Sequence, residues 1–202
     1  MHINSRLLFQ KYAAAHIDPS MRVLEIGPDA FPSTLQQLLS PAPRAWDTID
    51  LYQDPRLTFV ATSENAFPVP GDAYDVVISA NVLEHVRRTW LWIKEVGRVC
   101  RPGGLVVTIT PVSWPYHEAP IDCCRVYPEG LRALYEDAGL EVMVCTVESV
   151  EAPWMRRKVP GRSVDARRPL LQAVARVVGP LGVPMQAAFD SVAVGRKRAT
   201  SG

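Results

Sequence analysis

The chain has 202 residues, 48% hydrophobic and 21% charged, which is ordinary globular composition and enough length for one substantial core. Its 22 Lys and Arg stand against 21 Asp and Glu, a formal net charge of +1, so no global field recruits nucleic acid or an anionic membrane. Apolar runs fall well short of the roughly 20 residues that span a bilayer, and residues 1–17 lack the basic-then-apolar order of a secretory leader; the expectation is a cytoplasmic protein with no membrane span and no nucleic-acid partner.

Residues 1–20 open with a helical pattern, Leu7, Leu8, Tyr12 and Ala15. Arg22 to Gly27 (RVLEIG) is an apolar run ending in glycine, as a buried parallel strand should look. Ser33 to Leu39 follows as a helix with Ser33 at its N-cap. Thr48–Leu51, Leu57–Ala61 and Tyr74–Ala80 read as strands, the last rich in β-branched residues. From Thr89 to Cys100, apolar positions Leu91, Ile93, Val96 and Val99 recur at helical spacing, and Pro102-Gly103-Gly104 predicts a stop before the strand Leu105–Thr110. Pro128–Ala138 is a helix with Pro in its first turn and Gly139 at its end, followed by the strand Glu141–Val147. Glu151–Arg168 reads as a surface loop, Leu170–Val178 as a helix and Ala187–Arg196 as the last strand.

Alternation of strands and helices predicts an α/β fold, a Rossmann-like, open, mostly parallel and doubly wound sheet, here with an antiparallel last strand, in a single domain over residues 1–202. Within it, residues 22–147 form the core, 151–186 an inserted loop and helix, and 187–197 the closing strand. The four cysteines, Cys100, Cys123, Cys124 and Cys145, show no C-x-x-C pair or zinc spacing, so no metal is expected and all four read as reduced thiols in core or pocket.

Open α/β sheets bind ligands at the carboxyl ends of their strands. The first strand ends in Glu25-Ile26-Gly27-Pro28-Asp29, and the second at Asp50, whose carboxylate suits both hydroxyls of a ribose. Together they suggest a nucleoside cofactor. A dinucleotide needs G-x-G-x-x-G to seat its pyrophosphate, whereas one glycine stands here before Pro28 and Pro32, which argues against that seat.

The runs VLEIGP, TID, TSENAFPVPGDAYDVVISANVLEHV and RVCRPGGLVVTITP, in this order from Val23 onward, resemble the class I S-adenosylmethionine-dependent methyltransferases of the methyltransferase type 11-like group. The resemblance extends to about Val147 and implies S-adenosylmethionine as cofactor. It implies that Glu25, Gly27, Pro28 and Asp29 shape the cofactor loop, that Asp50 with Leu51 holds the ribose, that Thr62, Ser63, Glu64 and Asn65 surround the adenine, and that Ala80, Asn81 and Val82 pass beside the cofactor. Two positions depart from the family pattern: the loop Gly27–Pro32 carries bulk where small residues are common, and Thr62 stands where an aspartate is frequent.

Methyl transfer to a hydroxyl needs an aligned nucleophile and a base for its proton, which suits histidine. His2 and His16 lie in the N-terminal helical region. His117 follows the fifth strand, in a stretch that resembles a P-x-H-x-x-P-x-D-x-x-R-x-x-P-x-G-L pattern of bacterial members, and is the first choice of base. Asp122 would orient it or bind the acceptor, and Arg125 would pair with Asp122 or with an acidic substrate. His85, after Glu84, is a second catalytic candidate. Trp114, Tyr116 and Tyr127 would wall an acceptor pocket, and Arg156, Arg157, Lys158, Arg162, Arg167 and Arg168 form either a solvated face or a seat for an anionic acceptor. The reading is O-methylation of a small-molecule, glycan-type or carrier-linked acceptor, with homo-oligomerisation open. The alternative keeps the fold as a non-catalytic binding protein or partner subunit.

Overall fold

The computed structural model describes residues 1, 3–114, 116, 118, 120–150, 173, 177 and 188–199. Elements run in the order α1 (Ile3–Tyr12), a 3-10 turn (Ala14–His16), β1 (Arg22–Ile26), α2 (Thr34–Gln37), β2 (Ala45–Asp50), β3 (Phe59–Val60), β4 (Tyr74–Ala80), a second 3-10 turn (Leu83–His85), α3 (Thr89–Val99), β5 (Cys100–Ser113), α4 (Pro128–Asp137), β6 (Leu140–Glu148) and β7 (Phe189–Lys197). The seven strands form one sheet in the order β3-β2-β1-β4-β5-β7-β6. β1 to β5 pair in parallel, and β7 inserts antiparallel between β5 and β6. The sheet and its reversed last strand are as expected.

Strand faces explain the sorting of helices. In β4, Val76 and Ile78 point to a cluster with Leu8 and Phe9 of α1, while Val77 points to the opposite cluster with Trp92, Ile93 and Val96 of α3 and Leu131 and Tyr135 of α4. Period-2 alternation within a run that is apolar on both faces is what a sheet covered on both sides requires. Each fully buried Leu, Ile or Val contributes roughly 1.5–3 kcal/mol. At the outer edge α1 is tied down by polar contacts, Asn4 and Ser5 donating to Asp190 at 3.0 Å and Lys11 and Tyr12 to Glu148.

Several element bounds differ from expectation: β3 covers only Phe59–Val60 of the predicted Leu57–Ala61, and α2 only Thr34–Gln37 of Ser33–Leu39. Strand β5 starts at Cys100, directly after α3, instead of at Leu105. Tyr74 pairs with Cys100 but Val76 already pairs with Leu105, so residues 101–104 bulge out of the ladder. Gly103 takes φ +75°, and a Cβ on Gly104 would lie 2.8 Å from the Asp75 carbonyl, so Pro-Gly-Gly shapes a bulge inside the strand. Strand β2 begins at Ala45 and stops at Asp50, where the predicted segment was Thr48–Leu51. Of the predicted helix Leu170–Val178, Ala173 and Val177 are described and helical; its other residues, and the loop Glu151–Arg168 with all six of its basic residues, lie outside the described residues.

Candidate functional site

The chain leaves β1 toward β2 and β3 on one side, then returns to β4 on the other. Strand order therefore reverses between β1 and β4, and a crevice opens outside their carboxyl ends. A cleft of about 270 Å³ lies there, with Gly27, Asp50, Leu51, Ser63, Glu64, Asn81, Val82 and His85 in its wall, over a floor that includes Ile49, Ala61, Phe67 and Trp92. Its mixture of an apolar floor and a few convergent polar groups is the character of a ligand site.

Gly27 is irreplaceable on two counts. Its φ is +67°, and a Cβ would lie 2.5 Å from Val82 Cγ2, so the loop after β1 can press against the loop after β4 only without a side chain. Its amide bonds to the Ile49 carbonyl at 2.9 Å, which fixes the loop to β2. At the end of β2, Asp50 Oδ1 accepts the amides of Leu51 at 2.6 Å and Tyr52 at 3.3 Å, which holds the carboxylate at the rim. Asn81 adopts φ +58°, a left-handed turn that asparagine tolerates, and its amide bonds to the Ile109 carbonyl at 2.9 Å.

Other predicted cofactor residues serve the frame. Glu25 is buried, accepts from Trp46 Nε1 at 2.9 Å, and burial pushes its proton affinity up to about 7. Asp29 accepts the Thr34 amide at 2.9 Å and the Thr34 hydroxyl at 2.7 Å; burial opposes its ionisation, but these bonds hold it below the ordinary carboxylate range. With Ser33, whose hydroxyl accepts from the Gln36 amide, Asp29 caps α2. Glu64 accepts the amides of Arg87 and Arg88 at 3.1 Å each, tying the loop after β3 to the start of α3. Ser63 donates to Asn65 at 3.2 Å. Pro28, Thr62, Asn65 and Ala80 stand next to lining residues without lining the cleft.

On the acceptor side, His85 and Pro120 both line the cleft. The segment leading to α4 grips the 3-10 turn that carries His85: the Ile121 carbonyl meets His85 Nδ1, and the amides of Cys123 and Cys124 reach the Glu84 carbonyl at 2.7 and 3.3 Å. Asp122 and Arg125 form a bidentate ion pair, Nη2 to Oδ2 at 2.6 Å, with the Asp122 side chain only 3% exposed. Tyr116 is 71% exposed and donates to Glu118 at 2.5 Å, Tyr127 is exposed as the residue preceding α4, and Trp114 is half-buried; none of the three lines the cleft. His117 lies outside the described residues. Cys123 is exposed, contrary to the expected burial of both adjacent thiols, while burial pushes the Cys124 thiol up to about 11. Among the described residues there is no cluster that could hold a metal and no helix long and apolar enough to cross a membrane.

Phe67, Val86, Trp92 and Pro120 also line the cleft, and none of them is a site candidate by sequence. Their apolar periodicity is shared with core positions, so pattern alone does not separate them.

Residues 12–108 match the family described as a methyltransferase domain. An uncharacterised methyltransferase of Mycobacteroides abscessus is 34% identical over 96 residues, covering 48% of this chain and 34% of the relative; the match thus spans about a third of that relative's length. Among solved structures, a SAM-dependent methyltransferase from Archaeoglobus fulgidus superposes with a TM-score of 0.62 at 15% identity, over 95% of this chain and 92% of that one. The phosphoethanolamine N-methyltransferase 2 of Haemonchus contortus, in complex with S-adenosyl-L-methionine, gives 0.60 at 14% identity, over 97% of this chain and 53% of that one. At such identities these two structures bear on the fold.

Proposed function

We propose that this chain, whose residues 12–108 match the methyltransferase-domain family, is a class I S-adenosylmethionine-dependent methyltransferase that transfers a methyl group to a hydroxyl of a small-molecule or carrier-linked acceptor, with His85 as general base. The observation that carries the reading is one cleft at the strand switch point with Gly27, Asp50 and His85 in its wall.

The residues present fit the cofactor. The Asp50 carboxylate, oriented by two backbone amides through Oδ1, offers its Oδ2 to the ribose hydroxyls. Ile49, Ala61, Phe67 and Val86 supply an apolar bed for a flat base, and Glu64 and Asp50 give the cleft the negative character that a cationic ligand requires. When bound, S-adenosylmethionine supplies a methyl group on a sulfonium whose sulfur keeps the bonding electrons and becomes a neutral thioether.

The chain's own residues have three tasks. Gly27 and Val82 let the loops after β1 and β4 press together beside the cofactor seat. Pro120 and the residues after it close the acceptor side, which brings the nucleophile to a fixed approach. His85 takes the acceptor's proton: with Nδ1 donating to the Ile121 carbonyl, the neutral ring carries its lone pair on Nε2, a tautomer inferred from the bond and not seen directly. The family pattern's histidine, His117, is the competing base, and a phosphate-bearing acceptor is the reading that the basic run 156–168 supports.

Calorimetric titration with S-adenosylhomocysteine tests the cofactor seat, with micromolar binding, about −8 kcal/mol, as the expected result. A screen of hydroxyl acceptors then compares His85→Asn with His117→Ala. Loss of turnover of about a hundredfold or more in His85→Asn alone, with cofactor affinity kept, supports the reading; the same loss confined to His117→Ala transfers the role to His117.

A further inference from the structure

Glu84 is buried beside the proposed base, and the reaction as described gives it no task. Its side chain is 2% exposed, a position where a carboxylate is costly unless a cation compensates it. Oε2 accepts from the Thr110 hydroxyl at 3.1 Å, a residue of β5 that is itself fully buried. Among the described residues the only cationic atom within 4 Å of the carboxylate is His85 Nε2, 3.9 Å from Oε1, and it is cationic only when the ring is protonated. The other cation facing this spot, Arg125, commits its guanidinium to Asp122 and to the Cys124 carbonyl. Burial raises the proton affinity of Glu84, opposed by His85, Thr110 and Arg125.

Charge counting gives these positions a direction. The groups that face the pair are Thr110 from β5 and Asp122, Cys123, Cys124 and Arg125 from the segment before α4. With a neutral imidazole, Asp122, Arg125 and an ionised Glu84 sum to one negative charge; with an imidazolium they sum to zero. The arrangement is therefore best balanced after His85 has taken a proton, which is where a catalytic environment should be most favourable.

We propose that Glu84 is a positioning residue for acceptor deprotonation, acting through His85 by giving the ring a fixed carboxylate neighbour when it becomes charged. The proposal rests on the reading of His85 as base. In the step, the acceptor O–H bond breaks, its proton goes to His85 Nε2, and its electron pair forms the new bond to the methyl carbon as that carbon's bond to sulfur breaks and leaves its electron pair on sulfur. No oxidant or further reactant is needed. The same logic selects the acceptor class: a hydroxyl, which must lose a proton, gains from this pair, whereas an amine that is nucleophilic without assistance does not.

The test reads the coupling first without an acceptor, by titration, and then by turnover with a hydroxyl acceptor found in the screen above. In the full-length protein, the pH midpoint of the His85 Cε1 proton resonance is followed by NMR and assigned by its loss in His85→Asn. Glu84→Gln is expected to move this midpoint toward acid by about one pH unit or more. Thr110→Val, which removes the bond that favours the ionised carboxylate, moves it the same way by less. Unchanged affinity for S-adenosylhomocysteine certifies that both variants are folded, and Thr110→Val carries the test if Glu84→Gln is not. A midpoint that stays within about 0.2 unit in the folded variants overturns the proposal. A shifted midpoint with full turnover in His85→Asn overturns it for the separate reason that the base reading has failed. A shifted midpoint together with a kcat about tenfold lower in Glu84→Gln at unchanged cofactor affinity, restored in part by Glu84→Asp, supports it.

Discussion

The two sides of the cleft are built differently. On the cofactor side, positions are set by backbone bonds between neighbouring strand ends, Gly27 to Ile49, Ala61 to Asp50 and Asn81 to Ile109, so the polar groups are carried by the most rigid part of the sheet. On the acceptor side, one irregular segment lies across a 3-10 turn, held by the Asp122–Arg125 pair and by the bonds of residues 121–124 to Leu83, Glu84 and His85. Its aromatic residues Tyr116 and Tyr127 face solvent. A scaffold that fixes one ligand and a loop that adapts to another is a common division of labour, since loops tolerate change where strand ends do not.

The comparison is broken most directly at Gly27. Gly27→Ala adds a Cβ 2.5 Å from Val82 Cγ2 at a positive φ, and is expected to cost about 2–4 kcal/mol of stability and at least about a hundredfold in S-adenosylhomocysteine affinity. Calorimetry and urea unfolding read both. The double variant with Val82→Ala recovers the steric part only, because the backbone cost remains.

Glu25 sharpens the comparison through pH. Its folded proton affinity, about 7, exceeds the ordinary value of 4.5, so the folded state holds the proton more tightly than the unfolded chain. The stability this contributes is fully present below about 4.5 and is lost as pH rises to about 7, roughly 3 kcal/mol at about 1.36 kcal/mol per unit. Glu25→Gln keeps an acceptor for Trp46 and removes the titration. Its stability relative to the parent should climb between pH 5 and pH 8 in urea unfolding; parallel curves would show that Glu25 does not titrate there.

Asp50→Ala removes the carboxylate proposed to hold the ribose while leaving the core intact, and a weakening of S-adenosylhomocysteine binding by about 10- to 100-fold is expected at unchanged melting temperature. The smallest effect belongs to the other side. Tyr116→Ala, which loses only an exposed bond to Glu118, should leave stability within about 0.5 kcal/mol and cofactor affinity within about twofold. A larger loss of cofactor affinity there would erase the distinction between the two sides.

Much of the frame was legible because local rules and burial agree. Tyr74–Ala80 is a strand over the same residues in sequence and structure, since a β-branched run buried along nearly its whole length has few alternatives. Ser33 and Pro128 stand at helix starts for reasons of capping and fixed φ, and these act within four residues. The helix α3 ends before Pro102-Gly103-Gly104 as its sequence predicts, but the bulge these residues form inside β5 is not legible locally, because the Asp75 carbonyl that crowds Gly104 comes from a strand 29 residues earlier in the chain.

The site divides in the same way. Gly27 and Asp50 could be named from the chain because each follows a strand whose end is visible in the sequence, and topology then delivers both to one crevice. Asp29 has the right chemistry at the right spacing, yet its oxygens go to Thr34, whereas Glu64 lines the cleft while accepting the amides of Arg87 and Arg88. Which carboxylates face a ligand and which cap a helix depends on distances that only packing sets. The sequence by itself determined the order of strands and helices and the strand-end residues, because periodicity and capping are local. The tertiary structure alone decided that His85 shares a cleft with Asp50, that Phe67 and Trp92 form its floor, and that Glu84 meets Thr110 across 26 residues of chain, because each of these contacts joins segments that carry no signal of one another until the sheet brings them together.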